Sequence, residues 1–225
     1  MKVFVGYDTR EDIAYQVCKH SIISKQPDAD VRPLKQQELR DAGWYTRPVD
    51  KLASTEFTFT RFLIPELTNF EGWALFMDCD MILTTDIKEL FDQADDKYAV
   101  MCVHHDYKVN EGTKMDGQKQ TIYPRKNWSS VMLFNCAHPS NKALTMDLVN
   151  EPEINGAYLH RFSWLKDEEI GELDHTWNYL VGVYDDIETP KLIHYTEGGP
   201  WFENYRHCEF NELWKQELAD MMNAD

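Results

Sequence analysis

Two carboxylates pose the first chemical question. In Leu75-Phe76-Met77-Asp78-Cys79-Asp80-Met81-Ile82-Leu83 an apolar run is interrupted by acids at i and i+2. On extended backbone both side chains point to the same face. Carboxylates crowded at the end of a buried strand repel one another and lose hydration. A divalent cation removes that conflict, and oxygen ligands suit Mg²⁺ or Mn²⁺. A metal held by so few side chains keeps positions open for the phosphates of a substrate. The plainer alternative is a pair of turn aspartates capping the next helix, although Asp86, after Thr85, is the better N-cap there. Neither G-x-x-x-x-G-K-[ST] nor G-x-G-x-x-G after the first strand occurs, which leaves a metal rather than a glycine loop to hold a diphosphate.

The elements around that pair alternate in type. Lys2–Gly6 reads as a strand, Asp8, Thr9 and Arg10 as a turn, and Glu11 to about Lys25 as a helix, with Ile13, Ala14, Val17, Ile22 and Ile23 at helical spacing. Asp30–Leu34 is a second strand. A helix from Ser54 to about Leu67, capped by Ser54 or Thr55, is kinked or ended by Pro65. Gly72–Met77, Tyr98–Val103 and Val131–Phe134 read as buried strands, and Asp86–Gln93 and Ser140–Val149 as helices. The polar stretch from His105 to Asn127 reads as a long loop or irregular hairpin. The alternation of apolar strands with helices predicts an α/β fold with a mainly parallel sheet covered on both faces. Ligands of such sheets bind beyond the carboxyl ends of strands.

Composition narrows the partners. The chain has 225 residues, 39 acidic against 23 basic, and a formal net charge of −16. That balance, without a basic run, argues against nucleic acid and anionic membrane. The longest unbroken apolar stretch, Tyr98–Val103, falls far short of the roughly 20 residues of a transmembrane helix. The N-terminus enters a strand pattern without a signal-peptide core. Five scattered cysteines, never spaced C-x-x-C, read as reduced thiols of a cytoplasmic protein. The length suits a single domain.

With these residues in view, the chain resembles a GT-A-fold glycosyltransferase of the family 8 type, the group of glycogenin and bacterial lipopolysaccharide hexosyltransferases. Val3-Phe4-Val5-Gly6-Tyr7-Asp8 is similar to that family's first strand, and Phe59-Thr60-Arg61-Phe62 to its aromatic-x-Arg helix. Asp78-Cys79-Asp80 is its D-x-D. Asp174-His175-Thr176-Trp177-Asn178 resembles its D-Q-x-x-L-N-like segment. His194-Tyr195-Thr196-Glu197-Gly198-Gly199-Pro200-Trp201 resembles its C-terminal H-x-x-G-x-x-K-P-W. The segments follow in family order.

The resemblance implies a single GT-A domain over residues 1–225, with a nucleotide-binding half to about 103 and an acceptor half from about 104. It implies transfer of a hexosyl group from a UDP-sugar to a saccharide or other hydroxyl acceptor, with retained anomeric configuration. Asp78, Asp80 and His194 would bind Mn²⁺, with Mg²⁺ also possible. Asp8 would meet the uracil base, with Tyr7 beside it among the substrate-binding residues, and Arg61 the donor sugar and diphosphate; Asp8 reads otherwise as an Asx turn after the strand and Arg61 as a surface salt bridge. Asp174 would lie nearest the anomeric carbon, with His175 and Asn178 as hydroxyl contacts; as a plain helix N-cap it has an alternative role. His104, His105 and Asp106 read as acceptor contacts or as solvent-facing loop residues. Trp201, Phe202, Tyr205 and Trp214 read as sugar platforms or as core.

Departures from the family pattern matter too. Gly199 stands where the family has a lysine before Pro-Trp, so backbone N–H groups of Gly198 and Gly199, or the side chains of Lys191 or Arg206, are the candidates to face the diphosphate. Asn127-Trp128-Ser129-Ser130-Val131 replaces an F-N-A-G-V-like strand, displacing a sugar-binding asparagine and leaving glucose, galactose or a uronic acid as donors. Two rival functions share the paired aspartates: a metal-dependent nucleotidyl or phosphoryl transferase, and a non-catalytic carbohydrate- or metal-binding module.

Overall fold

The computed structural model describes residues 1–49, 53–106, 124–185, 187 and 189–224. In chain order, β1 (Lys2–Gly6) leads through a 3-10 turn to α1 (Asp12–Ile23), β2 (Asp30–Leu34) and α2 (Gln36–Asp41). A 3-10 turn over Thr60–Leu63 runs into α3 (Ile64–Leu67), then β3 (Trp73–Met77), β4 (Met81–Leu83), α4 (Lys88–Phe91) and β5 (Val100–Val103). After them come β6 (Val131–Asn135), α5 (Met146–Asn150), α6 (Gly156–His160), β7 (Ile170–Leu173), β8 (Tyr179–Leu180), β9 (Leu192–His194) and α7 (Asn211–Asn223).

A six-stranded sheet in the order β2-β1-β3-β6-β5-β7 is flanked by helices, as the α/β reading expects, and a small sheet β4-β9-β8 lies beside it. The large sheet is mixed. β1 pairs in parallel with β2 and β3, and β5 with β7, but β6 runs against both β3 and β5. A parallel neighbour needs a crossover, usually helical, and no helical pattern separates Val103 from Val131. The chain therefore leaves β5 and re-enters as β6 at the same edge. That edge collects the carboxyl ends of β1, β2, β3, β5 and β7 and the amino end of β6.

Helix boundaries moved for local reasons. Pro65 does not end a helix; it lies in the first turn of α3, where a missing N–H costs no hydrogen bond. The expected helix over Ser140–Val149 splits into a 3-10 turn (Pro139–Ala143) and α5, because Thr145 caps a new start, its Oγ1 accepting from Leu148 N–H at 3.2 Å. Asp86 accepts from Lys88 N–H at 2.8 Å and turns the chain into α4.

Burial follows the sheet. Val3, Val5, Leu75, Phe76, Leu133 and Phe134 are fully excluded from solvent, as an apolar strand covered on both faces requires. A second apolar cluster, with Val17, Ile82, Ile193, Tyr195 and Trp214, lies where α7 packs on α1 and the small sheet. His20 Nδ1 and Glu217 meet there at 2.6 Å. No helix among the described residues is long and apolar enough to cross a membrane.

Candidate active site

β3 stops at Met77 and the chain turns through Asp78-Cys79-Asp80 into β4. The Asp78 N–H donates to the Ser130 carbonyl at 3.0 Å, tying this turn to the residue that precedes β6. β4 pairs with β9 so that Met81 faces His194, and Tyr195 N–H donates to the Asp80 carbonyl at 2.9 Å. Ligand atoms of Asp78, Asp80 and His194 consequently all lie within 4.8 Å of one another. His194 is 2% exposed, its Nε2 3.3 Å from Asp80 Oδ1. That oxygen is buried and accepts no hydrogen bond among the described residues. Two carboxylates, an imidazole and a buried acceptor without a donor make a fitting donor set for a divalent cation.

Arg61 stands behind this cluster. Its Nη1 lies 2.9 Å from Asp78 Oδ1 and donates to the Ser129 carbonyl at 2.8 Å, while Nε donates to the Phe57 carbonyl at 3.2 Å. The guanidinium sits 5.0 Å from the Phe57 ring centroid and 4.7 Å from that of Phe76. A planar, delocalised cation suits such a slot better than an ammonium would. Arg61 is buried, and its contacts here orient Asp78.

Several expected ligand contacts are otherwise engaged. Asn178 is fully buried: Nδ2 donates to Ser130 Oγ at 2.8 Å and to the Asn127 carbonyl at 3.2 Å, and Oδ1 meets His194 Nδ1 at 2.8 Å. A substrate hydroxyl finds no open arm on it. Asp8 is also fully buried, and takes Arg10 N–H, Nε and Nη2 together with Glu56 N–H on its two oxygens. Burial alone would raise its pKa, but the hydrogen bonds from Arg10 and Glu56 outweigh it and hold the carboxyl below its usual range. Tyr7 donates to Asp12 Oδ1 at 2.7 Å, which pushes the phenol up to about 12, and Lys35 stands over its ring.

The C-terminal motif is built around aromatic packing. Gly198 has φ +134, and a Cβ there would meet Tyr205; a Cβ on Gly199 would enter the Trp201 ring. The Gly198 N–H donates to the Tyr195 carbonyl at 2.8 Å. Trp201, half-buried, packs between Tyr195 and Trp214, at centroid distances of 5.9 and 5.4 Å. Lys191 pairs with Glu89 at 2.8 Å and Arg206 with Glu203 at 2.8 Å.

Asp174 sits just past β7, exposed, and caps the 3-10 turn over His175–Asn178. Both its bonds, from Thr176 N–H at 3.0 Å and Thr176 Oγ1 at 2.5 Å, end on Oδ1 and keep its pKa low. His175 lies by the Tyr179 and Tyr184 rings. His105 is buried rather than solvent-facing, with Nδ1 2.7 Å from Tyr184 Oη, and His104 stacks on Trp128 at 4.0 Å. Residues 107–123, most of the long polar stretch after His105, lie outside the described residues.

Sequence reasoning missed Glu11. It is 5% exposed and receives the Cys79 thiol at 3.6 Å. Burial first, then Asp80 and Asp8, push its carboxyl up to about 8. An acid at a helix start carries no signal of this, because Cys79 and Asp80 arrive from the turn after β3. The roles of Ser129 and Ser130 were equally hidden, since their partners are remote in sequence.

A GT-A glycosyltransferase is the class that this sheet and its edge define. Residues 5–205 match the model of glycosyl transferase family 8, and the chain belongs to that family. It is similar to Protein CDI of Arabidopsis thaliana, at 52% identity over 225 residues, 97% of this chain and 86% of that protein. Its fold is similar to the glycosyltransferase GlyE of Streptococcus pneumoniae, with TM-score 0.67 at 16% identity, covering 99% of this chain but only 62% of GlyE. It is also similar to the galactosyltransferase LgtC, solved with donor and acceptor sugar analogs, with TM-score 0.60 at 11% identity, covering 98% and 96%. At those identities the likeness is one of fold.

Proposed function

We propose that the protein is a metal-dependent, retaining glycosyltransferase that moves a hexosyl group from a UDP-sugar to a hydroxyl acceptor such as a glycan. The observation that carries this reading is the Asp78–Asp80–His194 cluster at the ligand-binding edge of the sheet in a family 8 chain. Mn²⁺ is the proposed ion; bound there, it supplies a Lewis acid that stabilises charge on the departing diphosphate. Mg²⁺ is its closest substitute.

The chain's own residues divide the remaining work. Asp78, Asp80 and His194 hold the site, and Arg61 fixes Asp78 while neutralising part of the local negative charge. Asp174 stabilises positive charge that develops on the reacting sugar, using the carboxylate that its low pKa keeps ionised. His175 contributes a hydroxyl contact beside it. The nucleotide lies over residues 1–103 and the acceptor over 104–225. Five free thiols, four of them buried, accord with a cytoplasmic setting.

The test is a panel of UDP-glucose, UDP-galactose and UDP-glucuronic acid with Mn²⁺, scored by UDP release. Release with one donor, and a product of matching anomeric configuration by NMR, is the expected outcome. Release of pyrophosphate from a nucleoside triphosphate and a sugar phosphate would instead support a nucleotidyl transferase. Mn²⁺ binding without turnover of any nucleotide sugar would support a binding module.

A further inference from the structure

We propose that Asn178 is a positioning residue that sets the tautomer of His194, so that Nε2 presents a lone pair to the carboxylate cluster. The proposal rests on the metal reading above and extends it to a residue that touches neither metal nor substrate. A backbone carbonyl can only accept. Asn178 reaches the Asn127 carbonyl at 3.2 Å, so the amide end that faces it must be the NH₂ group. This orientation therefore follows from the network rather than from the placement of O and N alone.

The second amide hydrogen goes to Ser130 Oγ at 2.8 Å, and Ser130 Oγ passes its own hydrogen to the Asn127 carbonyl at 2.7 Å. Oδ1 is thus left toward His194 Nδ1, 2.8 Å away. An amide oxygen cannot donate, so Nδ1 must carry the hydrogen and a neutral ring is bare at Nε2. Nε2 is the atom 3.3 Å from Asp80 Oδ1. Asn178 is fully buried and His194 2% exposed, so water does not compete for these bonds.

The same short turn anchors the other side of the cluster. The Ser130 carbonyl holds the Asp78 N–H, and the Ser129 carbonyl holds Arg61, which orients the Asp78 carboxylate. The 3-10 turn Trp128–Ser130 therefore fixes Asp78 through the main chain and His194 through Asn178. Partners of this kind fix ring orientation at metal-ligating histidines, and their loss typically weakens metal binding by roughly 10–100-fold.

The experiment uses ¹⁵N-histidine-labelled protein without metal at about pH 9, above the ordinary imidazole range. Long-range ¹H–¹⁵N correlation reports which ring nitrogen is protonated, and the signal lost in His194→Gln assigns the residue. The wild type should show Nδ1–H, and Asn178→Asp, which retains an acceptor, should keep that pattern. Asn178→Leu should lose it and bind Mn²⁺ about 10–100-fold more weakly by calorimetry. Nε2–H in the wild type, or a folded Asn178→Leu with the Nδ1–H pattern and wild-type Mn²⁺ affinity, would overturn the proposal. Should Asn178→Leu not fold, Ser130→Ala serves: several-fold weaker Mn²⁺ binding is expected, and unchanged affinity counts against it. Failure of the wild type to bind Mn²⁺ would sink the metal reading, whereas the metal-free tautomer pattern tests the positioning role independently.

Discussion

Ser130 accepts the backbone N–H of Asp78 at 3.0 Å, joining the turn after β3 to the start of β6. Those strands are antiparallel neighbours, so this bond continues their ladder past its last registered pair, Met77 with Val131. The first carboxylate of the D-x-D is therefore placed by the sheet itself. Its partner Asp80 is placed by the small sheet, through its carbonyl and Tyr195 N–H. The cluster forms where two sheets end.

Asp80→Asn should test what the cluster does. The amide keeps shape but removes charge and half the acceptor capacity. Loss of Mn²⁺ binding and of UDP release is expected, with a melting temperature near or above that of the wild type. Turnover that persists in the variant, or in the wild type with EDTA, would count against metal dependence.

Arg61 is the next test. Truncation to leucine leaves Asp78 without its nearest cation, and the carbonyls of Ser129 and Phe57 without donors. Breaking a buried pair from one side typically costs about 3–5 kcal/mol. Arg61→Lys keeps the charge but cannot reach these acceptors with one planar group, and should recover only part of the stability. Equal denaturant midpoints for both variants and the wild type would show that the slot does not hold the site together.

How much of this was readable beforehand depends on the range of the interaction. Asp78 and Asp80 were legible because one strand and its end carry both. The capping role of Asp174 and the packing of Trp214 were visible as local alternatives. The reversal of β6 was not, because the sequence between Val103 and Val131 says what is absent, a helix, but not which neighbour results. Asn178 looked like a substrate contact because its spacing from Asp174 says nothing of Ser130, 48 positions away in sequence. The absence of a side chain at Gly199 was legible, but not the ring that folds back over it, because Trp201 reaches that place only in the folded chain.

Gly199→Ala gives that last point a measurement. The added methyl would occupy the Trp201 ring, which Tyr195 and Trp214 hold in place. Overpacking of this kind costs about 1–3 kcal/mol, or roughly 2–4 °C per kcal/mol for a chain of this size. A lower melting temperature with an intact UDP affinity is expected. Unchanged melting with weakened UDP binding would return Gly199 to the diphosphate.

His160 supplies the pH dependence. Desolvation in the protein interior, with Arg61 next in effect, lowers its imidazole from 6.5 to about 3, and its Nδ1 meets Ser129 Oγ at 2.6 Å. The folded protein therefore holds this ring neutral where the unfolded chain would protonate it. Between about pH 3 and 6.5 the unfolded state binds the extra proton, so stability rises with pH across that window and is lost as pH falls through it. Melting temperatures recorded from pH 7 down to pH 4 should drop steadily. His160→Gln keeps a polar partner for Ser129 but cannot titrate, and its curve should be flatter than that of the wild type. Some slope should remain, because His105 is lowered to about 3 as well, chiefly by burial and then by His194, His175 and His104. Parallel curves for the variant and the wild type would mean that His160 is not a source of the acid sensitivity.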